Sequence, residues 1–346
     1  MDKKQIMVGS IPIGGGAPVT VQSMTNTKTE DVAATVAQIH RLEELGCDIV
    51  RVAVPDMAAA KAVGAIRAQI HIPLVADIHF DYKLALEAAG AGADKIRINP
   101  GNIGDSEKVR AVVTACRTRK IPIRIGVNGG SLEKPILAKY GGVTAEALYE
   151  SAMGHVRLLE QFDFDDICIS VKASDVPLTI AAYRLLAERT SYPLHLGVTE
   201  AGTEYMGVLK SAVGIGTLLA EGIGDTIRVS LTASPEREVP AGIGILKALN
   251  LRTDGVKIIS CPTCGRCNID LIPIAQEVEA ALAHCQRNLT VAVMGCAVNG
   301  PGEAAHADYG IAGGKQEGLL FSKGQIVKKV PMEHLVAEFL KLIGEN

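Results

Sequence analysis

Eight short β-rich runs, separated by longer helical patterns, constrain the fold of this chain more than any other feature. The runs are VTVQSM (19–24), IVRVAV (49–54), PLVADI (73–78), KIRINP (95–100), IPIRIGV (121–127), DICISV (166–171), PLHLGVT (193–199) and TIRVSL (226–231). Amphipathic stretches such as 31–46 and 144–162 lie between them. Eight βα units in roughly 250 residues predict a (β/α)8 TIM barrel. An open doubly wound sheet is the alternative, but no G-x-G-x-x-G follows the first run.

The chain is long enough for a second, smaller domain after the barrel. We expect the eighth helix at 242–251, followed by the polar linker RTDG at 252–255. The sequence thus predicts a TIM barrel over residues 1–251 and a small α+β domain over 256–346. In the second domain we expect a helix (268–284), a strand (289–294), a hairpin (319–330) turning at Lys323-Gly324, and a terminal helix (332–344).

Composition narrows the class of function. The formal net charge is −3, so no overall positive charge favours nucleic acid. The N-terminal stretch lacks the apolar run of a signal peptide, and no segment approaches the roughly 20 apolar residues of a membrane span. We therefore expect a cytoplasmic protein that binds neither membrane nor nucleic acid. In that compartment, clustered cysteines favour metal over disulfides.

Cationic residues recur in the predicted barrel strands. TIM-barrel active sites lie at the carboxyl ends of the strands, so these side chains are expected to converge there. Converging cations repel one another unless an anion neutralises them, and the planar arginine fork suits phosphate oxygens. The sequence predicts a site for a phosphorylated small molecule, with Asn128 and Ser230 completing the hydrogen bonding. The predicted cations are Arg51, Arg97, Arg124, Lys172 and Arg228.

Two further polar residues follow strands of the barrel. Glu200 is a carboxylate among cations, and it can be either a structural ion pair or a general acid/base. His79, close to Asp77, can orient a substrate or cap the helix that follows. The residues alone leave both pairs of alternatives open.

Five of the eight cysteines crowd into residues 261–296, whereas Cys47, Cys116 and Cys168 lie singly in apolar segments as core residues. The spacing Cys261-x-x-Cys264-x-x-Cys267 is typical of iron–sulfur proteins, while zinc sites more often show two separated C-x-x-C pairs. Three thiolates do not complete a four-ligand site, so another ligand must come from elsewhere.

The downstream residues supply candidates for that ligand. Cys285 lies within a helical pattern and is interpreted as a packing residue. Cys296 follows a strand in a glycine-rich loop that lets backbone approach a cofactor closely, and Glu303 comes seven residues later.

The motifs SCPTCGR and MGCAVNGPGEA resemble those of the 4-hydroxy-3-methylbut-2-enyl diphosphate synthase family. The barrel motifs VQSMTNT, RVAVP, DIHF, KIRINPGN, RIGVN, VTEAG and RVSL occur in the order expected for that family. The resemblance therefore spans the whole chain.

This resemblance implies a TIM barrel joined to a reductase-like domain that carries a [4Fe–4S] cluster. It implies the substrate 2-C-methyl-D-erythritol 2,4-cyclodiphosphate, flavodoxin or ferredoxin as electron donor, and a head-to-tail homodimer in which one subunit's cluster caps the other's barrel. Glu200 would be the acid/base residue, with His79 and Asn128 near the substrate. The implied cluster ligands are Cys261, Cys264, Cys296 and Glu303. The implied diphosphate ligands are Arg51, Arg97, Arg124, Lys172, Arg228 and Ser230.

Cys267 departs from the family pattern, in which its position is usually not a ligand. Two rival readings remain: a phosphate-binding barrel lyase of the pterin-synthase type with a zinc-stabilised tail, and a zinc-ribbon nucleic-acid module fused to a barrel. The few aromatic residues and the acidic net charge weigh against the second.

Overall fold

A computed structural model describes residues 3–283, 285, 287–296, 306–314 and 317–344, except for the side chains of Pro100 and Gly101. The chain forms two compact units, Met1–Arg252 and Thr253–Asn346. None of the helices in these described ranges is long and apolar enough to cross a bilayer.

The first unit is built around an eight-stranded parallel barrel. Neighbouring strands pair in the order β8-β7-β6-β5-β4-β3-β10-β9, and a parallel bridge between Ile169 and Leu194 joins the two ends. The predicted TIM barrel is confirmed, although its last two strands are only two residues long. The barrel strands are β3 (Thr20–Met24), β4 (Ile49–Ala53), β5 (Leu74–Asp77), β6 (Lys95–Ile98), β7 (Ile123–Asn128), β8 (Ile167–Lys172), β9 (His195–Leu196) and β10 (Thr226–Ile227).

Helices surround the barrel and bury their apolar faces against it. Ile39 and Leu42 of α1, for example, have no exposed surface. Several of these helices begin at an aspartate whose side chain accepts a backbone N–H, as Asp31 does from Ala34. The helices are α1 (Val32–Glu44), α2 (Met57–Arg67), α3 (Tyr82–Ala91), α4 (Pro100–Ile103), α5 (Ser106–Arg119), α6 (Lys134–Tyr140), α7 (Ala145–Glu160), α8 (Val176–Arg189), α9 (Glu204–Ala220) and α10 (Pro235–Ala248).

The eighth barrel helix begins earlier than the predicted residue 242. Pro235 occupies the first turn of α10, where a missing N–H costs nothing, and Ser234 precedes it at the cap position. Pro240 lies inside the helix and forfeits one backbone hydrogen bond, a loss the chain tolerates because the helix buries an apolar face against the barrel.

An N-terminal hairpin, which the sequence patterns did not predict, plugs the amino-terminal end of the barrel. It pairs β1 (Gln5–Val8) with β2 (Ile11–Gly14) in antiparallel register. Its Ile6, Val8 and Ile13 are buried against inward-facing side chains of the barrel strands, among them Ile49 and Val75. This end of the barrel is therefore apolar and closed.

The second unit is a five-stranded mixed sheet with helices. Strand order is β11-β12-β13-β14-β15, with the first three strands parallel and the last three antiparallel. The predicted strand at 289–294 and the hairpin turning at Lys323-Gly324 are confirmed; both turn residues have positive φ (49° and 77°). The elements are β11 (Val256–Ser260), α11 (Leu271–Leu282), β12 (Leu289–Met294), β13 (Tyr309–Gly313), β14 (Glu317–Ser322), β15 (Gln325–Pro331) and α12 (Leu335–Ile343).

Candidate active site

A polar cavity of about 210 Å³ opens at the carboxyl ends of the barrel strands. All five predicted cations line it, together with Asn128 and Ser230, so the structure brings together binding residues predicted on five different strand segments. The lining side chains are Met24, Arg51, Asp77, His79, Arg97, Arg124, Gly126, Asn128, Ser170, Lys172, Thr199, Arg228 and Ser230.

Asp77 is the buried carboxylate around which these cations gather. Its Oδ1 lies 3.1 Å from Arg97 Nη1, and its Oδ2 lies 3.6 Å from both Arg51 Nε and His79 Nε2. Burial alone would raise the pKa of Asp77, but the charges of Arg51 and Arg97 and the hydrogen bond with His79 outweigh it and lower that pKa. Asp77 is thus an anion that holds two arginines in place.

The cations nevertheless outnumber the carboxylates. Burial and the neighbouring charges of Arg228 and Arg51 hold the pKa of Lys172 well below its usual value. Burial, then the charge of Arg97, lowers the pKa of Arg124 to about 10, and its Nε and Nη1 atoms are buried without a partner among the described residues. Such unsatisfied, crowded cations are a preorganised receptor for a multiply charged anion.

Glu238 on α10 is a site residue that the sequence reading missed. It is 4% exposed; its carboxylate lies 3.3 Å from the Arg228 guanidinium, and it accepts hydrogen bonds from the Ser23 hydroxyl and the Leu231 N–H. A usable signal was present, because Glu238 shares the helical spacing of the buried positions Val239 and Gly242. A carboxylate on that apolar stripe requires a buried partner.

Two glycines that the sequence analysis did not single out leave the space that two of the cationic side chains occupy. A Cβ at Gly126 would lie 2.5 Å from Arg97 Nε, and one at Gly197 would lie 2.5 Å from Lys172 Nζ. Any side chain at either position would push a cation off its present position. Glycine in the interior of a strand often marks such a close approach.

Glu200 is exposed and is not among the described side chains that line the cavity. It directly follows Thr199, which does line it, and its φ is +52°, in the left-handed region that non-glycine residues rarely adopt. Strain of this kind costs on the order of 1–3 kcal/mol and is found preferentially at functional sites. No ion pair joins Glu200 to another side chain within the described ranges, which leaves its carboxylate available to a ligand.

A polar layer lies deeper in the barrel. Lys95 and His195 have no exposed surface, and their side-chain nitrogens have no hydrogen-bond partner among the described residues. Burial lowers the pKa of Lys95 to about 8 and holds the pKa of His195 well below its usual range. Lys95 therefore still holds its proton at pH 7, but it loses that proton at a lower pH than an exposed lysine does.

In the second unit, two of the predicted cluster ligands follow neighbouring strand ends. Cys261 comes directly after β11 and Cys296 two residues after β12, which pair in parallel with Ser260 opposite Val293. The backbone N–H of Gly295 donates to Cys261 Sγ at 3.1 Å, and Cys296 is buried. An N–H donor to sulfur stabilises a thiolate, the form that binds metal.

The remaining cysteines of the cluster differ in their surroundings. Cys264 is exposed, and a hydrogen bond from the backbone N–H of Arg266 lowers the pKa of its thiol. Cys267 is partly buried; its Sγ donates to the Ile269 carbonyl at 3.2 Å. The donor set of Cys261, Cys264 and Cys296 fits an iron–sulfur cluster, and the predicted fourth ligand, Glu303, lies outside the described residues.

Comparisons with known proteins identify the family over both units. The GcpE TIM-barrel domain matches residues 3–243, and the GcpE protein C-terminal domain matches residues 257–345. The 4-hydroxy-3-methylbut-2-en-1-yl diphosphate synthase (flavodoxin) of Geobacter sulfurreducens is 62% identical over an alignment of 347 positions that covers 99% of this chain and 98% of that protein. The protein of the same name from Ruminiclostridium cellulolyticum is 61% identical over 342 residues, with coverage of 99% and 97%.

A solved structure gives a more distant likeness. The dihydropteroate synthase of Yersinia pestis aligns with a TM-score of 0.51 over 71% of this chain and 97% of that one, at 12% sequence identity. At that identity the match shows a shared barrel fold alone. It lends no weight to a pterin-type reaction, and the family match over both units decides against the two zinc readings.

Gly126→Ala should weaken anion binding because the new methyl group displaces the Arg97 guanidinium. A charge-assisted hydrogen bond is worth about 1.5–3 kcal/mol, so the dissociation constant for inorganic pyrophosphate should rise roughly tenfold or more. Gly130→Ala is the matched control, since a Cβ there meets nothing within 4 Å. Equal affinities in calorimetric titrations of the two variants would contradict the steric role of Gly126.

Lys95→Met should stabilise the protein at pH 7, because the native state no longer buries an ammonium group. The Lys95 pKa of about 8, against 10.5 in the unfolded chain, corresponds to a gain on the order of 3 kcal/mol. The gain should be constant below pH 8. It should shrink between about pH 8 and 10.5, where native Lys95 is neutral while the unfolded lysine still holds its proton.

Urea unfolding across this pH range measures the effect. Lys61→Met, at an exposed position, is the control and should change the free energy of unfolding little at any pH. A loss of stability in Lys95→Met at pH 7 would mean that Lys95 has a buried anionic partner.

Proposed function

This chain belongs to the GcpE family, and we propose that it converts 2-C-methyl-D-erythritol 2,4-cyclodiphosphate into (E)-4-hydroxy-3-methylbut-2-enyl diphosphate. It is an enzyme of isoprenoid precursor biosynthesis, as its named relatives are. The observation that carries the substrate assignment is the set of five cations converging on one barrel cavity.

The charge of the site suits this reaction. When all five cations are protonated, they face two buried carboxylates, Asp77 and Glu238, which leaves an excess of three positive charges. The cyclic substrate carries two negative charges, and breaking its ring at carbon frees a third on the departing phosphate oxygen. The cations therefore stabilise the ring-opened diphosphate more than the closed ring, which is electrostatic catalysis by preorganised groups.

The five cations fall into two groups, those paired with a buried carboxylate and those without such a partner in the described structure. Arg97 and Arg51 are anchored on Asp77, and Arg228 is anchored on Glu238, so three guanidinium groups are fixed before the substrate arrives. Arg124 and Lys172 have no such anchor in the described structure and are free to bond phosphate oxygens. Asn128 and Ser230 offer neutral hydrogen bonds at the same rim.

The overall reaction takes up two electrons and one net proton and releases water. Glu200, which follows Thr199 and has no ion pair among the described residues, is the proposed general acid: its carboxylic acid form gives a proton to the departing hydroxyl group. His79, which contacts Asp77 and Arg97, orients the substrate from the opposite wall.

We assign a [4Fe–4S] cluster to Cys261, Cys264, Cys296 and Glu303 of the second unit. When bound, such a cluster supplies electrons one at a time and a Lewis-acidic iron at its carboxylate position. Reduced flavodoxin, which the relatives' names include, or ferredoxin is the proposed electron donor. A head-to-tail homodimer, in which one subunit's cluster meets the other's barrel, completes the proposal.

Turnover of the cyclic diphosphate tests the function. Protein reconstituted anaerobically with iron and sulfide should form the linear diphosphate when given the substrate and reduced flavodoxin or a viologen. Arg124→Met should raise KM at least tenfold, because it removes an unanchored phosphate ligand, and should leave the iron content unchanged. A loaded protein that binds the cyclic diphosphate without converting it would contradict the proposal.

Cys267→Ser should keep the cluster, because the Cys267 thiol already donates to the Ile269 carbonyl, a bond that a serine hydroxyl can also make. Cys261→Ser should lose the cluster, since it removes the sulfur that accepts the Gly295 N–H. Iron and acid-labile sulfide measured per chain distinguish the two variants. Loss of both in Cys267→Ser would show that all three cysteines of the C-x-x-C-x-x-C motif are ligands.

A further inference from the structure

Outside the cavity, one cluster of metal-ligating side chains lies on the surface of the barrel unit. His40 and Glu43 project from α1, and His71 lies in the segment between α2 and β5. One donor atom of each side chain lies within 4.8 Å of the donor atoms of the other two. His40 and Glu43 are three residues apart on a helix, which places them on the same face.

The carboxylate of this cluster is already fixed in position. Glu43 Oε1 accepts backbone N–H groups from His71 at 2.7 Å and Ile72 at 3.1 Å, while its Oε2 lies 3.0 Å from His71 Nδ1. The Glu43 side chain is 14% exposed. A carboxylate held by two backbone donors loses little conformational freedom on binding a cation.

One ring nitrogen of His40 contacts a backbone carbonyl oxygen, as is typical of a metal-binding histidine. Its Nε2 lies 2.9 Å from the Gln69 carbonyl oxygen, and when Nε2 carries the proton the other nitrogen has a free lone pair. Metal-binding histidines nearly always donate their second nitrogen to such an oxygen. The rings of His40 and His71 stack with centroids 5.9 Å apart.

We propose that His40, Glu43 and His71 form a binding site for Zn²⁺. Bond lengths of about 2.0–2.2 Å and a tetrahedral angle set two ligand atoms roughly 3.3 Å apart, close to the 3.0 Å between Glu43 Oε2 and His71 Nδ1. The ion replaces the proton shared by those two atoms. Since the His71 side chain is 84% exposed, water completes the coordination.

The choice of ion follows from the donor set. Two imidazoles and one carboxylate suit zinc and the neighbouring late transition metals, whereas Mg²⁺ and Ca²⁺ prefer oxygen ligands throughout. The site lies at the amino-terminal end of β5, whose other end carries Asp77 of the cavity. At that end of a TIM barrel, residues serve stability rather than chemistry. The ion therefore joins α1 to the α2–β5 connection.

Equilibrium dialysis of cluster-loaded protein against zinc, followed by metal analysis, tests the site. Loaded protein is needed because free cluster cysteines would also bind zinc, and the iron content of each sample reports the loading. At on the order of 10 µM free zinc, the unaltered protein should bind one zinc per chain and Mg²⁺ should not compete. His71→Ala and Glu43→Gln should each weaken binding at least tenfold without changing the iron content.

His334→Ala is the matched control, because His334 lies 3.5 Å from Glu333 in another surface His–Glu pair with no third donor among the described residues. It should keep the bound zinc. His40→Ala is a second test that leaves the Glu43–His71 contact intact, and it should also lose the ion. Absence of bound zinc in the unaltered protein, or its retention in both His40→Ala and His71→Ala, would overturn the proposal.

Discussion

Repulsion among five cations inside one barrel is the constraint on which the rest of this structure depends. Charges of the same sign in a space of about 210 Å³ repel strongly where water is scarce. Two features reduce this repulsion: Asp77 and Glu238 are buried among the cations, and the pKa values of Arg51 and Lys172 are held well below normal. The apolar hairpin closes the other end of the barrel. The remaining positive charge suits the cavity to a multiply charged anion.

The carboxylates and glycines around the cations are as much part of the site as the cations themselves. Glu238 fixes Arg228 from a neighbouring helix, while Gly126 leaves the space that Arg97 occupies. Their effect is preorganisation, which lets binding energy act on the reacting bond rather than on arranging side chains. The number of cations alone therefore does not account for the preorganisation of the site.

The barrel could be predicted because each strand is a short apolar run and each helix has an apolar stripe, signals that are local in sequence. The five cations could be predicted because a TIM barrel brings strand ends together. The buried position of Glu238 could have been predicted from helical spacing in the same way. The need for glycine at position 126 could not, because it depends on where the Arg97 side chain lies in the folded barrel. The hairpin of β1 and β2 was missed because four-residue strands give too little alternation, and the proximity of His40 to His71 is set by tertiary packing alone.

The uneven lengths of the barrel strands have a mechanical consequence. Strands β7 and β8 have six residues each, whereas β9 and β10 have two, and the bridge between Ile169 of β8 and Leu194 lies just before β9. Segments with few backbone hydrogen bonds open at the lowest free energy. The barrel therefore has a seam along its seventh and eighth strands, and the cavity residues beside it include Thr199 and Arg228. Longer ladders of backbone hydrogen bonds hold one wall of the anion site and shorter ladders hold the other, so the second wall is displaced at the lower cost in free energy.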